Sequence, residues 1–394
     1  MAARDVVVLS GVRTAIGDYG GGLKDVPPTE LAATCVREAL VRAEIDPKSV
    51  QHTVFGNVIH TEAKDMYLAR VAAVNAGLPV EAPALTLNRL CGSGLQAVVS
   101  AAQMVLLGDA DTAVAGGAES MSRAGYWVPA LRWGARMGDA KIVDAMTGAL
   151  TDPFGHGHMG CTAENVAQRY GLSREDQDRF AVESHQRAAS AIDEGRFKDQ
   201  IVPVEIQTRK GPVTVDTDEH PRRDASLEGM AKLRAVFQKD GSVTAGNASG
   251  INDGAAAVTL MEAGEAERRG AKPAARLVAY GHAGVEPEVM GLGPIGAVTQ
   301  AMKRARLSVA DMDVIESNEA FAAQAMAVAR ELDFPPARTN PNGGAVAMGH
   351  PVGATGCILL VKALHELARV QGRYALVTMC IGGGQGIAAI FERL

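Results

Sequence analysis

Several things are scarce in this chain of 394 residues, and each scarcity removes a class of protein. Aromatic side chains make up only 4% of it, so the interior has to be built from small aliphatic groups, with 44 glycines permitting close backbone contacts. No uninterrupted apolar run approaches the roughly 20 residues that a membrane-spanning helix needs. Positive charge is not in excess. Lys and Arg total 39 against 45 Asp and Glu, a net charge of −6, which argues against a nucleic-acid binder but leaves room for an anionic ligand held by local arginines. The five cysteines, at 35, 91, 161, 357 and 380, are odd in number, far apart and without a CxxC pair. That pattern fits free thiols in a reducing compartment better than a disulfide framework. Met1 to Ser10 is strand-like and lacks a signal-peptide core, and the final Glu392-Arg393-Leu394 is no peroxisomal address. The cytosol is the expected setting.

What is present is an ordinary globular composition, 47% hydrophobic and 21% charged, in a length suited to two or three domains. Val6 to Leu9 reads as a buried strand, and Arg13 to Gly22 as a glycine-rich loop. Thr29 is expected to cap a helix running to about Arg42, and Val50 to Phe55 to form a second strand ending at Gly56-Asn57. A helix near Met66 to Ala76 follows, then a strand at Ala84 to Leu87, a helix from Gly94 to Leu107, and a strand from Thr112 to Ala115 that runs into Gly116-Gly117.

The later part of the chain repeats this order. Ala39 to Ile45 resembles Ala301 to Leu307, and each is followed by a polar turn, an apolar strand and an asparagine, Asn57 or Asn318. Cys91 lies 34 positions after the first asparagine and His350 lies 32 after the second. A helix, a glycine and a strand ending in glycines follow both. Two duplicated α/β halves are expected, with mixed sheets covered by helices. The boundaries read as 1–119 plus 250–271 for the first half and 272–394 for the second. Residues 120–249 form an insertion, richer in charge, with helical patterns near Ala163 to Tyr170 and Arg174 to Glu194. An excursion this long from a rigid scaffold is expected to carry ligand contacts.

Chemistry concentrates in a few stretches. In Asn88-Arg89-Leu90-Cys91-Gly92-Ser93-Gly94-Leu95-Gln96 a cysteine stands between a strand and a long helix. Unpaired N–H groups and the positive helix end there favour thiolate over thiol, which a nucleophile with an ordinary pKa of about 8.5 needs at neutral pH. The plainer reading is a buried structural cysteine before a tight turn. Further clusters are Ser317-Asn318-Glu319-Ala320-Phe321, the run from Asn342 to Gly356 containing Gly349-His350-Pro351, and Cys380-Ile381-Gly382-Gly383-Gly384-Gln385-Gly386. The repeat brings His350 and Cys380 to loops equivalent to those of Cys91 and Gly116, so one histidine and two cysteines converge.

At these residues, together with Gly246 to Gly250, the sequence strongly resembles the thiolases, acetyl-CoA C-acyltransferases of the bacterial biosynthetic β-ketothiolase type, over essentially its whole length. The resemblance implies a fold of two similar halves in five α-β-α-β-α layers with an inserted loop domain, in a homo-oligomer, dimer or tetramer. It implies Cys91 as the acylated nucleophile, His350 as the base that activates it, and Cys380 as acid/base at the substrate Cα. Asn318 would hold a water that forms one oxyanion hole with His350, and the N–H groups of Cys91 and Gly382 would form the other. His158, Met159, Arg222 and Ser249 would contact pantetheine and CoA. Acetyl-CoA, acyl-CoA and 3-ketoacyl-CoA are the implied partners, with CoA as substrate and product and no tightly bound cofactor, metal, nucleic acid or membrane. The biosynthetic type further implies short acyl chains and a place in lipid or polyhydroxyalkanoate synthesis. The residue types suit this chemistry: an acyl-enzyme divides a difficult condensation into two steps, and a weak carbon acid needs a base and positioned donors.

Other readings compete. Gly92 to Ala97 fits GxGxxA after a strand, a dinucleotide-binding fingerprint, with Asp109 and Asp111 near the expected acidic position. His156, His158 and Cys161 imitate part of a metal site but lack a fourth ligand. A non-catalytic acyl-CoA carrier and a ketoacyl synthase are the remaining alternatives, and the second cysteine, Cys380, decides against the synthase.

Overall fold

The computed structural model describes residues 4–394, so residues 1–3 of the expected opening strand lie outside it. The first half contains β1 (Val6–Arg13), α1 (Pro28–Arg42), β2 (His52–Gly56), α2 (Leu68–Asn75), β3 (Ala84–Leu87), α3 (Ser93–Leu107), β4 (Thr112–Ser120) and, after the insertion, β5 (Asn252–Glu262). Within the insertion run α4 (Met159–Tyr170) and α5 (Arg174–Asp193). The second half follows with β6 (Ala275–Gly284), α6 (Gly293–Ala305), β7 (Val314–Ser317), α7 (Ala322–Glu331), α8 (Val352–Arg369), β8 (Tyr374–Ile381) and β9 (Gln385–Arg393).

Strand order carries the duplication. The first half reads β3-β2-β4-β5-β1 and the second β7-β8-β9-β6 from its outer edge inward. In each, the outer strands are parallel and the last two are antiparallel. Helices α3 and α8 pack against each other between the sheets, while α1 lies against β5 and α6 against β6 and β9. This is the layered α/β arrangement expected from the repeat. One feature was not legible in the sequence: β1 and β6 touch along a two-rung antiparallel ladder, Val7 with Arg276 and Val8 with Ala275, so hydrogen bonding runs from one sheet into the other.

Three local expectations need correction. Thr29 does not cap α1. Pro27 occupies the cap and Pro28 opens the helix, where a missing N–H costs nothing. The segment near Met66 begins as a 3-10 turn, Ala63–Tyr67, under a Glu62/Asp65 capping box, before α2 starts at Leu68. β4 does not stop at Ala115 but continues through both glycines to Ser120. A Cβ at Gly117 would strike the carbonyl of Gly353, so glycine here lets the second half's loop press onto the strand rather than ending it.

The insertion is tied to the sheet from its interior as well as at its ends in the chain. Arg13 on β1, fully buried, pairs with Asp218 through both guanidinium nitrogens at 2.7 and 2.9 Å, and its Nε donates to Gln200 at 2.8 Å. In its outer part Trp127 and Trp133 are exposed, at 56% and 91%. They are the only tryptophans of the chain.

Candidate active site

The short strand β3 delivers the chain to Cys91, and Leu90 turns it sharply with φ of 45°. That turn is locked locally. Ser93 Oγ accepts the Arg89 N–H and donates to the Leu90 carbonyl, at 2.8 and 2.7 Å, and Asn88 Oδ1 accepts the Leu90 N–H. Cys91 is left two residues before α3, half-buried on the floor of a cavity of about 540 Å³. The cavity is lined by Cys91, His350, Gly382, His158, Met159, Arg222 and Ser249, with Met121, Leu150, Ile251, Met290, Phe321 and Val352 supplying apolar wall. Seven residues singled out from the sequence thus share one space. Asn318 and Cys380 stand behind its wall, each fully buried.

The sequence expectation that the helix start favours the Cys91 thiolate is reversed. Burial pushes the thiol up to about 11, although the N–H groups of Gly382 and of Cys91 itself point at the sulfur and pull the other way. Cys91 lies outside the first helical turn, and two donors do not compensate for lost water. The resting side chain is therefore a thiol that needs a base. Those same two N–H groups converge beside the sulfur, where an acyl oxygen would sit.

His350 enters from the loop before α8. Burial lowers its pKa to about 4, so the ring is neutral at physiological pH and able to accept a proton. Its backbone N–H donates to Asn252 Oδ1 at 2.9 Å, its Nδ1 lies 2.6 Å from Thr355 Oγ1, and its Nε2 lies 3.4 Å from Asn318 Nδ2. Asn318 Oδ1 is buried and has no partner among the described residues. An orphaned acceptor beside the imidazole is a ready seat for a water molecule.

Cys380 lies one residue before the end of β8, in an apolar cluster with Met159, Ala163, Ala248, Met290, Ala320 and Phe321. Burial raises its pKa, and the nearby Cys91 raises it further. Cys91 is thus close enough to oppose ionisation of Cys380.

The outer residues line the cavity away from Cys91. His158 caps α4 by accepting the Gly160 N–H on Nδ1 at 3.1 Å, and its ring stacks on Phe237 with centroids 4.7 Å apart. Met159 packs toward Gly382. Arg222 is 64% exposed at the rim, 3.7 Å from Asp18, which also pairs with His220 at 2.7 Å. The Ser249 N–H donates to the Ala320 carbonyl at 3.0 Å, holding that segment against the Asn318 loop.

The competing readings have structural answers. Gly94 of the GxGxxA match faces the Cys357 N–H and the Ala354 carbonyl, where a Cβ would stand 2.7 and 2.9 Å away. Its absence of side chain serves the contact of α3 with α8, not a pyrophosphate. His156 faces Glu288, His158 caps a helix, and Cys161 lies by the Phe237 carbonyl.

Sequence reasoning missed Glu119, Asn252, Thr355 and Phe237. Thr355 lies inside the run containing His350, at a spacing that returns to the start of α8, so its signal was available. Glu119 carried none, because its role depends on the strand register.

Fold and site together fit an enzyme that handles acyl thioesters. The chain belongs to the thiolase family: residues 6–264 match the family description "Thiolase, N-terminal domain" and residues 271–393 match "Thiolase, C-terminal domain". It is 67% identical to beta-ketothiolase BktB of Cupriavidus necator, over 99% of this chain and 100% of that one. It is 50% identical to an acetyl-CoA acetyltransferase of Pseudomonas aeruginosa with the same coverage. Among solved structures, human mitochondrial 3-ketoacyl-CoA thiolase in complex with CoA superposes with a TM-score of 0.96 at 43% identity, covering 99% of this chain and 98% of that one.

Proposed function

We propose that this thiolase catalyses the reversible condensation of acetyl-CoA with an acyl-CoA to a 3-ketoacyl-CoA and free CoA through an acyl-enzyme on Cys91. The observation that carries the reading is that Cys91, with the N–H groups of Gly382 and of Cys91 itself directed at its sulfur, and the neutral buried imidazole of His350 line one cavity. His350 takes the thiol proton as the sulfur attacks the thioester carbonyl. The oxyanion forms against the N–H groups of Cys91 and Gly382, a geometry that makes such donors effective. Its collapse expels the CoA thiolate, which takes its proton from the Cys380 thiol, so that Cys380 is left as thiolate while His350 keeps the proton from Cys91. The Cys380 thiolate left by that step then removes a proton from the Cα of acetyl-CoA, and the enolate oxygen is met by the protonated His350 and a water on Asn318, His350 later returning its proton to the Cys91 sulfur. The enolate carbon attacks the acyl group on Cys91, and the second tetrahedral intermediate releases product and restores the thiol.

His158, Met159, Arg222 and Ser249 bind the pantetheine and nucleotide parts of CoA, which is substrate and product rather than resident cofactor. Acyl groups are short, and the direction is biosynthetic, supplying lipid or polyhydroxyalkanoate precursors. The organisation is 1–119 with 250–271, an inserted 120–249, and 272–394. The enzyme works in the cytoplasm, where its five free cysteines remain reduced, as a homo-oligomer, dimer or tetramer.

Mass spectrometry after incubation with acetyl-CoA tests the core of this reading. A single acetyl adduct on Cys91 is expected, with thiolysis and condensation both abolished in Cys91→Ala. An adduct confined to another cysteine would overturn it.

A further inference from the structure

His350 can act on Cys91 only if the nitrogen turned toward the pocket is unprotonated, and nothing in an imidazole ring itself fixes which nitrogen carries the hydrogen. The surroundings of its Nδ1 do. Thr355 Oγ1 stands 2.6 Å from that nitrogen and 2.9 Å from the Pro351 carbonyl. A hydroxyl has one hydrogen, and the carbonyl can only accept. The arrangement that leaves no two acceptors facing each other therefore sends the hydroxyl hydrogen to Pro351, and Nδ1–H donates to Oγ1. Nε2 then carries the lone pair, and the Asn318 amide NH2 at 3.4 Å is oriented to donate toward it.

Thr355 is 2% exposed, and among the described residues no other side chain bonds to Nδ1. It sits in the first turn of α8, whose start is fixed from two sides: Gly353 N–H donates to Glu119 at 2.8 Å, and the His350 N–H donates to Asn252. The hydroxyl is thus held at a set point relative to the ring.

We infer that Thr355 is a positioning residue of the reaction: through its hydroxyl it holds His350 as the Nδ1–H tautomer and so keeps Nε2 free to take the Cys91 proton. The inference rests on the base role proposed above for His350. A threonine-to-valine change keeps the shape and removes the acceptor. Nδ1–H would then be buried without a partner, and the ring gains by moving its hydrogen to Nε2, where it faces Asn318 Oδ1 once that amide turns over. An Nε2–H cannot receive a proton from a thiol.

The test compares native enzyme, Thr355→Val and Thr355→Ser, reading the His350 tautomer by nitrogen-15 chemical shifts alongside acetylation of Cys91. In Thr355→Val the expected result is a switch from Nδ1–H to Nε2–H and a fall in kcat on the order of 10- to 100-fold, as for other residues that orient a functional histidine. KM for acetyl-CoA should stay nearly unchanged. Thr355→Ser should restore both tautomer and rate. An unchanged tautomer in the valine variant overturns the inference, as does a serine variant as impaired as valine, which would assign the loss to the missing methyl. A switched tautomer with native turnover supports the positioning by Thr355 and instead removes His350 from its role as base.

Discussion

Glu119 of the first half accepts the Gly353 N–H of the second at 2.8 Å, across the boundary between them. The same carboxylate accepts N–H groups from Asn57, Val58 and Ile59 at 3.0 to 3.1 Å. Strand register makes this pairing more than a local contact. Gly56 lies opposite Gly117, and Ser317 lies opposite Thr378, so Asn57 corresponds to Asn318 and Glu119 to Cys380. One copy of the repeated frame carries the second thiol, and the other carries the buttress that holds the His350 loop. The equivalence expected for the Cys380 loop was with Gly116; the register moves it three residues onward.

Glu119→Gln should lower stability by about 1–3 kcal/mol, because one amide edge would turn N–H toward N–H in a buried pocket. Burial raises the Glu119 pKa, yet every hydrogen bond it makes is to a donor, which is the environment of an ion. Thermal unfolding followed by circular dichroism measures the loss. An unaltered Tm would show that the carboxylate is not what joins the two loops.

His350→Ala should strip Cys91 of its base. With the thiol pKa raised to about 11 by burial, the fraction ionised at pH 7 is then negligible and grows only as pH climbs toward that value. Iodoacetamide alkylation of Cys91 in the variant should therefore be slow at neutrality and rise through alkaline pH. The native enzyme should react faster at neutrality than the variant, because the unprotonated His350 ring can accept the proton as the sulfur attacks. Superimposable pH profiles would remove the histidine from this step.

Cys380→Ser keeps the side-chain shape but replaces a thiol with a far weaker acid. Acetyl transfer from acetyl-CoA to Cys91 should survive, whereas condensation and thiolysis should fall to a small fraction of native rate. Exchange of the Cα protons of acetyl-CoA with deuterated water should be lost as well. Equal losses in transfer and in full turnover by a folded variant would contradict the division of labour between the two cysteines.

Arg222→Ala removes a largely exposed rim cation and should raise KM for CoA several-fold with kcat nearly kept, the signature of lost uniform binding. The carboxylate of Asp18, 3.7 Å from the guanidinium, restrains Arg222 before substrate arrives, so Asp18→Asn should change KM without touching kcat. A fall in kcat at constant KM would take Arg222 away from ligand anchoring.

Much of this architecture is readable in the linear chain because apolar periodicity and motif order survive duplication. The strand into Cys91, the helix after it, α5 and the two terminal strands fall where the pattern puts them. The errors arise where tertiary contact decides. Thr29 matched a cap by residue type, but two preceding prolines had already opened the helix. Gly116 and Gly117 looked like the end of a strand because glycine commonly ends strands, yet here they admit Phe55 and the Gly353 loop. The Cys91 thiolate was expected from the helix end, and the opposing term, burial on the cavity floor, does not show in sequence. Thr355 could be quoted within a motif, but the direction of one hydroxyl hydrogen depends on a carbonyl and a ring brought together by folding.

The placement of both tryptophans on the outer insertion has an optical consequence. Excited at 295 nm, the protein emits from Trp127 and Trp133 alone, two solvated indoles far from the packed sheets. A fluorescence melt would therefore follow the insertion's surface, and collisional quenchers such as acrylamide should reach both indoles while the enzyme is still fully active. Any blue shift on raising protein concentration would register the covering of that one segment, with the core spectroscopically silent.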